Sequence, residues 1–256
     1  MLPTCKFGPL GRIRPDLNVL AKAPKLRDFL TGDPITASAG VDYRGGIQSW
    51  GMLGNDRVGN CAEAAVLHIA MAQTAIVTGS PVAFADVDAL ELYAAVTGFD
   101  PATGAGDNGT DLRTLLGFLM QNGYKDVKLL GYCIVNHRDD AEVLAAQTLF
   151  GPLLRGINLP RSAENQTDVG QPWDLVPWSP IIGGHAIASA ARGSAGGIEI
   201  TWGQEQDATD RFQETETDEL YAPISPLWLN AKGFSPTGAN VDALIAAAQQ
   251  YNAEAA

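Results

Sequence analysis

One run constrains this chain more than any other: NCAEAAVLHIAMAQTAIV, residues 60–77, entered through Gly59. Ala62, Ala64, Ala65, Val66, Leu67, Ile69 and Ala70 make it apolar almost all round, so a helix here belongs in the centre of the protein. Gly59 closes a turn, Asn60 takes the N-cap, and Glu63 stands at capping-box spacing, with an amide replacing the usual hydroxyl. Cys61 is then the first helical residue, where the positive end of the helix dipole favours thiolate. Two readings fit that position: a nucleophile, or a small buried side chain that packs as a hydrophobe.

Composition narrows the partners. The 256 residues suffice for one large domain or two modest lobes, and 46% hydrophobic against 18% charged content indicates a packed globular chain. Net charge is −12 with no basic cluster, so neither nucleic acid nor an anionic membrane surface is an expected partner. Cys5, Cys61 and Cys133 are too scattered for a disulfide framework or a CxxC pair, and the three histidines share no ligand spacing, so no metal or other cofactor is expected. The N-terminal run lacks an apolar h-region and no stretch approaches roughly 18 consecutive apolar residues, so neither a signal peptide nor a transmembrane helix is expected. The expected setting is the cytoplasm, or a virus particle assembled inside a cell.

Residues 1–40, rich in Pro and Gly, form an extended arm with a short helical piece near Pro24–Leu30. Its shortness and weak helix signals favour a fixed arm over a removable inhibitory segment. Residues 41–256 form the main domain. A helical lobe covers about 41–125, with helices at 61–77, 86–96 and 111–121, the last capped by Thr110 and ended by Gly123. A β lobe covers about 126–230: a strand from Val127 to Val135, a helix over Asp139–Leu149, a strand from Gly151 to Leu159 and a polar loop. A hairpin over 185–202, turning at 193–196, and a helix around Arg211–Tyr221 complete it. A helix over 241–252 ends the chain. Helices first and strands second make the fold class α+β, a helical lobe packed on an antiparallel sheet lobe.

A base for Cys61 has few candidates. His68 lies two turns further along the same helix, about 10 Å away, and reads as a satisfied core histidine. His137 sits in a polar turn. His185 opens a strand directly after Gly183-Gly184, where missing side chains leave a groove beside the imidazole. A base on a rigid strand facing a thiol at a helix end is the arrangement of a Cys–His pair.

Taken together, these landmarks resemble the papain family of cysteine peptidases over roughly residues 40–205. Val41-Asp42-Tyr43-Arg44 resembles its V-D-W-R opening, Asn55 falls where the family keeps its oxyanion-hole Gln, and Asp107-Asn108-Gly109-Thr110 resembles its Asn-Gly-Gly run. Gly151-Pro152 and a strand precede Gly183-Gly184-His185-Ala186, which resembles the His motif, and Thr201-Trp202-Gly203 resembles Asn-Ser-Trp-Gly. The layout is also similar to uncharacterised papain-like proteins of bacteriophages and bacteria. The resemblance implies Cys61 as nucleophile, His185 as base, and an oxyanion held by the Cys61 amide and the Asn55 side chain. It implies Trp202 as a shield, and Asn108, Gly109 and Gly184 as contacts of a substrate backbone.

Ile200 stands where the family has the Asn that orients the His. Thr201 or Gln204 are the candidates to replace it, and period-two alternation puts Thr201 on the opposite face. Two functions follow: a thiol-dependent hydrolase of peptide or amide bonds acting on peptide or protein substrates, or a phage virion structural or binding protein that keeps the fold with weak or lost catalysis and has phage structural proteins as partners.

Overall fold

The central helix forms where the apolar run demands it. In the computed structural model, which describes residues 2–32, 40–232 and 239–255, it spans Cys61–Thr78 and ends on Gly79, whose φ of 78° supplies the left-handed cap. It is long and apolar enough to cross a bilayer, at a mean hydropathy of 1.4, yet 72% of it is buried inside the protein. Its buried polar residues, Glu63, His68 and Gln73, each have a partner. His68 Nε2 donates to the carbonyls of Trp50 and Gly51, both at 3.1 Å, and Gln73 donates to the Phe150 carbonyl. Burial pushes the His68 pKa down to about 4, so it is the neutral core histidine that its position suggested. The capping box does not form. Asn60 makes no side-chain cap and donates instead to the Leu53 carbonyl at 2.8 Å, while Glu63 accepts from Thr110 Oγ1 at 2.9 Å.

In chain order the elements are β1 (Thr4–Cys5), β2 (Gly8–Pro9), α1 (Leu17–Leu20), a 3-10 turn (Leu26–Asp28), β3 (Val41–Asp42), α2 (Cys61–Thr78), α3 (Asp86–Thr97), α4 (Leu112–Gln121), β4 (Gly131–Ile134), α5 (Asp140–Phe150) and β5 (Leu153–Pro160). There follow α6 (Arg161–Asp168), β6 (Ile181–Gly193), β7 (Gly196–Thr201), β8 (Gln204–Ala208), α7 (Asp210–Glu216), β9 (Thr217–Ile224), α8 (Pro226–Lys232) and α9 (Val241–Ala255). The main sheet runs β4-β9-β5-β6-β7-β8, antiparallel throughout, with β3 on the edge of β6. This is the α+β arrangement that the order of helices and strands indicated.

α2 packs on β6 through small residues on both sides: Ala62, Ala64 and Ala65 share a core with Ala186, Ala188 and Ala190. Methyl against methyl lets helix and sheet approach closely, which brings the first turn of α2 beside the middle of β6. A second core under α5 and α9 holds Phe150, Leu220 and Leu244, and a third gathers Leu10, Ile157, Trp173, Ile187 and Trp202.

Several expected elements shift. The helix around Arg211–Tyr221 stops at Glu216 and its second half is strand β9, which lies between β4 and β5 with nearly every residue buried. β9 opens with the polar run Thr217-Asp218-Glu219, two of whose side chains meet Arg12, so neither strict alternation nor an apolar run marks it as a strand. The strand expected from Val127 is only Gly131–Ile134, and the polar loop after Leu159 contains α6. Asp111, not Thr110, caps α4, accepting from Thr114 N. In the arm, the short helix is α1, upstream of Pro24; only the 3-10 turn falls within Pro24–Leu30, and the last residues of the expected arm lie outside the described ones.

Candidate active site

Cys61 begins α2 and is buried, with 1% exposure. Two backbone amides point at its sulfur, from Ala186 on β6 and from Gly11 in the N-terminal arm. Burial raises the thiol pKa to about 11; the two amides and the Arg12 charge oppose this, while Glu63 adds to it. Ala186 follows His185, so the thiol lies beside the residue next to the imidazole.

His185 is fully buried on β6, which starts at Ile181 and therefore holds it mid-strand. Its Nε2 meets Thr201 Oγ1 at 2.7 Å, its ring stacks on Trp202 with centroids 4.5 Å apart, and its Nδ1 has no hydrogen-bond partner among the described residues. Burial and then the nearby Arg12 charge push its pKa down to about 3. Thiol and imidazole are therefore both neutral in this arrangement.

The placement of Thr201 corrects the alternation argument. β6 and β7 pair Ala188 with Ile200, which sets Thr201 across from Ile187, on the face that Ile187 shares with His185. Ile200 instead joins Ala186 and Ala188 in the core under α2. Ile200 is thus a packing residue, and its neighbour makes the bond to the imidazole. Trp202 and Gly203, at φ 46° and 71°, form the two-residue turn between β7 and β8. A Trp in that conformation is strained, and the turn is what lays its ring on His185.

Other expected residues sit differently. Gln204 is exposed on β8, where its backbone pairs with Thr201, and the bond to His185 is made by Thr201 instead. Asn55 is buried, but its side-chain amide turns to the Val58 carbonyl at 3.5 Å, a long bond, rather than towards the sulfur. Asn108 is exposed, its backbone N–H bonded to Gly106. Asp107, to which the resemblance assigns no role, organises this corner: its Oδ1 accepts from Gly59 N–H at 3.0 Å and from the Tyr93 hydroxyl at 2.8 Å, and Tyr93 accepts from Gly109 N–H. A carboxylate beside an Asn-Gly pair was the only sequence signal for it.

Gly109 and Gly184 do open a groove for a backbone, and the backbone in it is the protein's own. A Cβ on Gly109 would lie 2.0 Å from the Gly11 carbonyl oxygen, one on Gly184 2.3 Å from that of Arg12, and one on Gly11 1.8 Å from that of Gly59. Thr110 N–H donates to Gly11 O at 2.8 Å, Ile13 N–H to Thr110 O at 3.0 Å, and Arg12 N–H to Gly184 O at 3.2 Å. Further back, Leu10 is buried in the third core and Phe7 stacks on Trp202 at 4.7 Å. The Lys6 amide and ammonium bond Glu164 and Asp168. The arm is seated across the thiol, the imidazole and the glycine groove together.

Glu63 is buried two residues from the thiol, with one carboxylate oxygen bonded only to Thr110 Oγ1 and the other unpartnered, and burial raises its pKa to about 8. The folded state holds this proton through neutral pH and the unfolded chain does not. Its contribution is complete below the unfolded carboxylate pKa near 4.5 and is lost as pH rises through about 8. Glu63→Gln should therefore match the wild type in urea denaturation near pH 4 and be the more stable protein at pH 9; equal stabilities at pH 9 would exclude the shift. Glu219, also raised by burial, to about 7, is present in both proteins and cancels from the comparison.

Solved structures with a similar fold include cysteine proteases. Xylellain from Xylella fastidiosa aligns over 88% of this chain and 99% of its own, with a TM-score of 0.64 at 12% identity. The Carica candamarcensis protease CMS1MS2, solved in complex with E-64, aligns over 73% and 99% with a TM-score of 0.53 at 14% identity. The ragweed pollen protease Amb a 11, in its proform, aligns over 76% and 68% with a TM-score of 0.52 at 16% identity. No family model and no curated protein matches the sequence. The likeness is one of architecture, and it is clear: the chain has the papain-like fold.

Proposed function

We propose that this protein is a thiol-dependent hydrolase of peptide bonds, kept latent by the arm seated in its cleft. One observation carries the reading: a helix-terminal Cys61 sulfur lies against the amide next to His185, whose Nδ1 is free while Thr201 holds its Nε2. The cysteine-protease neighbours support it.

The chemistry follows from these groups. With the arm displaced, water enters, the desolvation that keeps both groups neutral falls, and the Arg12 charge leaves the imidazole. The thiol proton can then pass to His185, and the helix dipole stabilises the thiolate. The thiolate attacks the carbonyl carbon of a peptide bond. His185 returns the proton to the departing amine, leaving a thioester on Cys61, which water attacks with His185 as base to release the acid and restore the thiol. The unpaired N–H at the start of α2 is one oxyanion donor. The Asn55 amide, held only by its long bond to Val58, becomes the second after a side-chain rotation.

With Arg12 replaced by Ala to loosen the arm, the full chain should hydrolyse an unstructured protein such as casein. Adding Cys61→Ala should abolish cleavage, adding His185→Ala should slow it roughly 1000-fold, and adding Thr201→Val roughly tenfold. Cleavage that survives Cys61→Ala would overturn the assignment. A second reading, a binding protein of a phage particle or the cytoplasm with the same fold, draws on the neutrality of both groups beneath the seated arm. Absence of cleavage in the loosened chain would favour it.

A further inference from the structure

The arm reaches into a pocket whose chemistry is more specific than a general inhibitory contact requires. The Arg12 side chain is fully buried, and both terminal nitrogens of its guanidinium are met by acceptors, while Nε has no partner among the described residues. Nη1 donates to Glu219 Oε1 at 2.8 Å and lies 2.8 Å from Asp218 Oδ1. Nη2 donates to the Ile157 carbonyl at 3.0 Å, to Asp218 Oδ2 at 3.1 Å and to Asn158 Oδ1 at 3.3 Å. Glu219 is itself fully buried and is oriented by the Tyr221 hydroxyl on its other oxygen at 2.9 Å.

The walls are shaped for this side chain. Gly156, on β5 between Glu219 and Ala186, has no Cβ; one there would lie 2.6 Å from the Glu219 Cγ and 2.8 Å from the Arg12 Cδ. On the other side, a Cβ on Gly184 would lie 3.3 Å from the Arg12 Nε. The pocket opens off the groove where the Arg12 backbone pairs with Thr110 and Gly184, beside the thiol.

We propose that this pocket, built by Asp218, Glu219, Asn158 and the Ile157 carbonyl, is the specificity pocket for substrate and takes an arginine side chain once the arm has left, so that Arg12 occupies it as a stand-in for the substrate. The proposal rests on the hydrolase reading for its consequence but not for its binding chemistry. Two carboxylates and two neutral oxygens spread around a planar fork match a guanidinium better than a point ammonium. An aliphatic side chain would leave Glu219 buried and unpaired.

The full-length R12A chain tests this. Dipeptidyl epoxide traps carrying Arg should label Cys61 roughly tenfold faster than those carrying Leu, with Lys between them, and the added change Glu219→Gln should erase the preference. Equal or faster labelling by the Leu traps would overturn the pocket while leaving the hydrolase reading standing. Binding is read separately, without chemistry at sulfur. N-acetyl-argininamide, but not N-acetyl-norleucinamide, should raise the melting temperature of R12A/C61S, and not of R12A/C61S/E219Q. A shift there with a Cys61 inert to every trap would sink the hydrolase reading and keep the pocket; no shift would sink the pocket. If R12A does not accumulate folded, the wild-type chain answers. Excess N-acetyl-argininamide should displace the arm and speed alkylation of Cys5, and an unchanged Cys5 rate would count against the proposal.

Discussion

Replacing Arg12 by Ala in the intact chain is expected to raise the rate at which iodoacetamide alkylates Cys61 by roughly 100-fold near neutral pH, as read by peptide mass spectrometry. With the arm seated, the sulfur is 1% exposed and its pKa stands at about 11, so little thiolate exists and little of it is reachable. The R12A arm loses its ion pairs and leaves Glu219 and Asp218 without a cation, a loss of about 3–5 kcal/mol for a buried pair. The remaining arm contacts, a few backbone hydrogen bonds, the Lys6 bonds to Glu164 and Asp168 and the Phe7 and Leu10 side chains, are of similar size, so the balance moves towards an open cleft. Opening exposes the sulfur and lets its pKa fall towards that of an ordinary thiol. Cys133 is the internal control. It is fully buried on β4, its pKa is raised by burial and then by Glu142, and no part of the arm's first residues covers it. If Cys61 and Cys133 react at equally slow rates in R12A, Arg12 is not what holds the cleft closed.

The largest effect on stability is expected at a different buried cation. Arg155, on β5, donates from Nε to Ser189 Oγ and from Nη1 to Thr217 Oγ1, each at 2.9 Å, and lies 3.3 Å from the carboxylate of Glu199. Glu199 is fully buried and also accepts from Ser189 and Gln213. Arg155→Leu leaves that carboxylate in the sheet without this guanidinium and removes the donor to the Ser189 and Thr217 hydroxyls. The loss should be about 3–5 kcal/mol, a fall in melting temperature on the order of 10 °C for a chain of this size. Adding Glu199→Gln should recover much of it, because the uncompensated charge carries the penalty. A single variant that melts within about 2 °C of the wild type would show that the pair contributes little.

The seated arm and the buried sheet network differ in how far local pattern could reveal them. The α2 run was readable because an all-round apolar helix has one place to go, and its first residue then had to be a buried thiol at a helix end. The Gly183-Gly184-His185 run and the Trp202-Gly203 pair were readable because glycines and turn residues act over a few positions. Cross-strand register was not. Whether Ile200 or Thr201 faces His185 depends on how β7 pairs with β6, and a shift of one residue exchanges the two faces. Nor did periodicity separate α7 from β9, since burial on both faces removes the alternation that marks a strand.

Residue types and short spacings by themselves determined the central helix, the α+β class and the thiol at the helix end, and pointed to His185 on a strand after two glycines. These are local properties, carried by neighbouring side chains and by backbone preferences over one or two turns. Tertiary structure alone decided that Thr201 holds the imidazole and that Asn55 is turned away. It also decided that residues 2–14 fill the groove and that Arg12 meets Asp218 and Glu219 from the far end of the chain. Those contacts join segments distant in sequence, so their energy depends on register, close backbone approach and shared burial, which come into being only when the sheet and the helix pack.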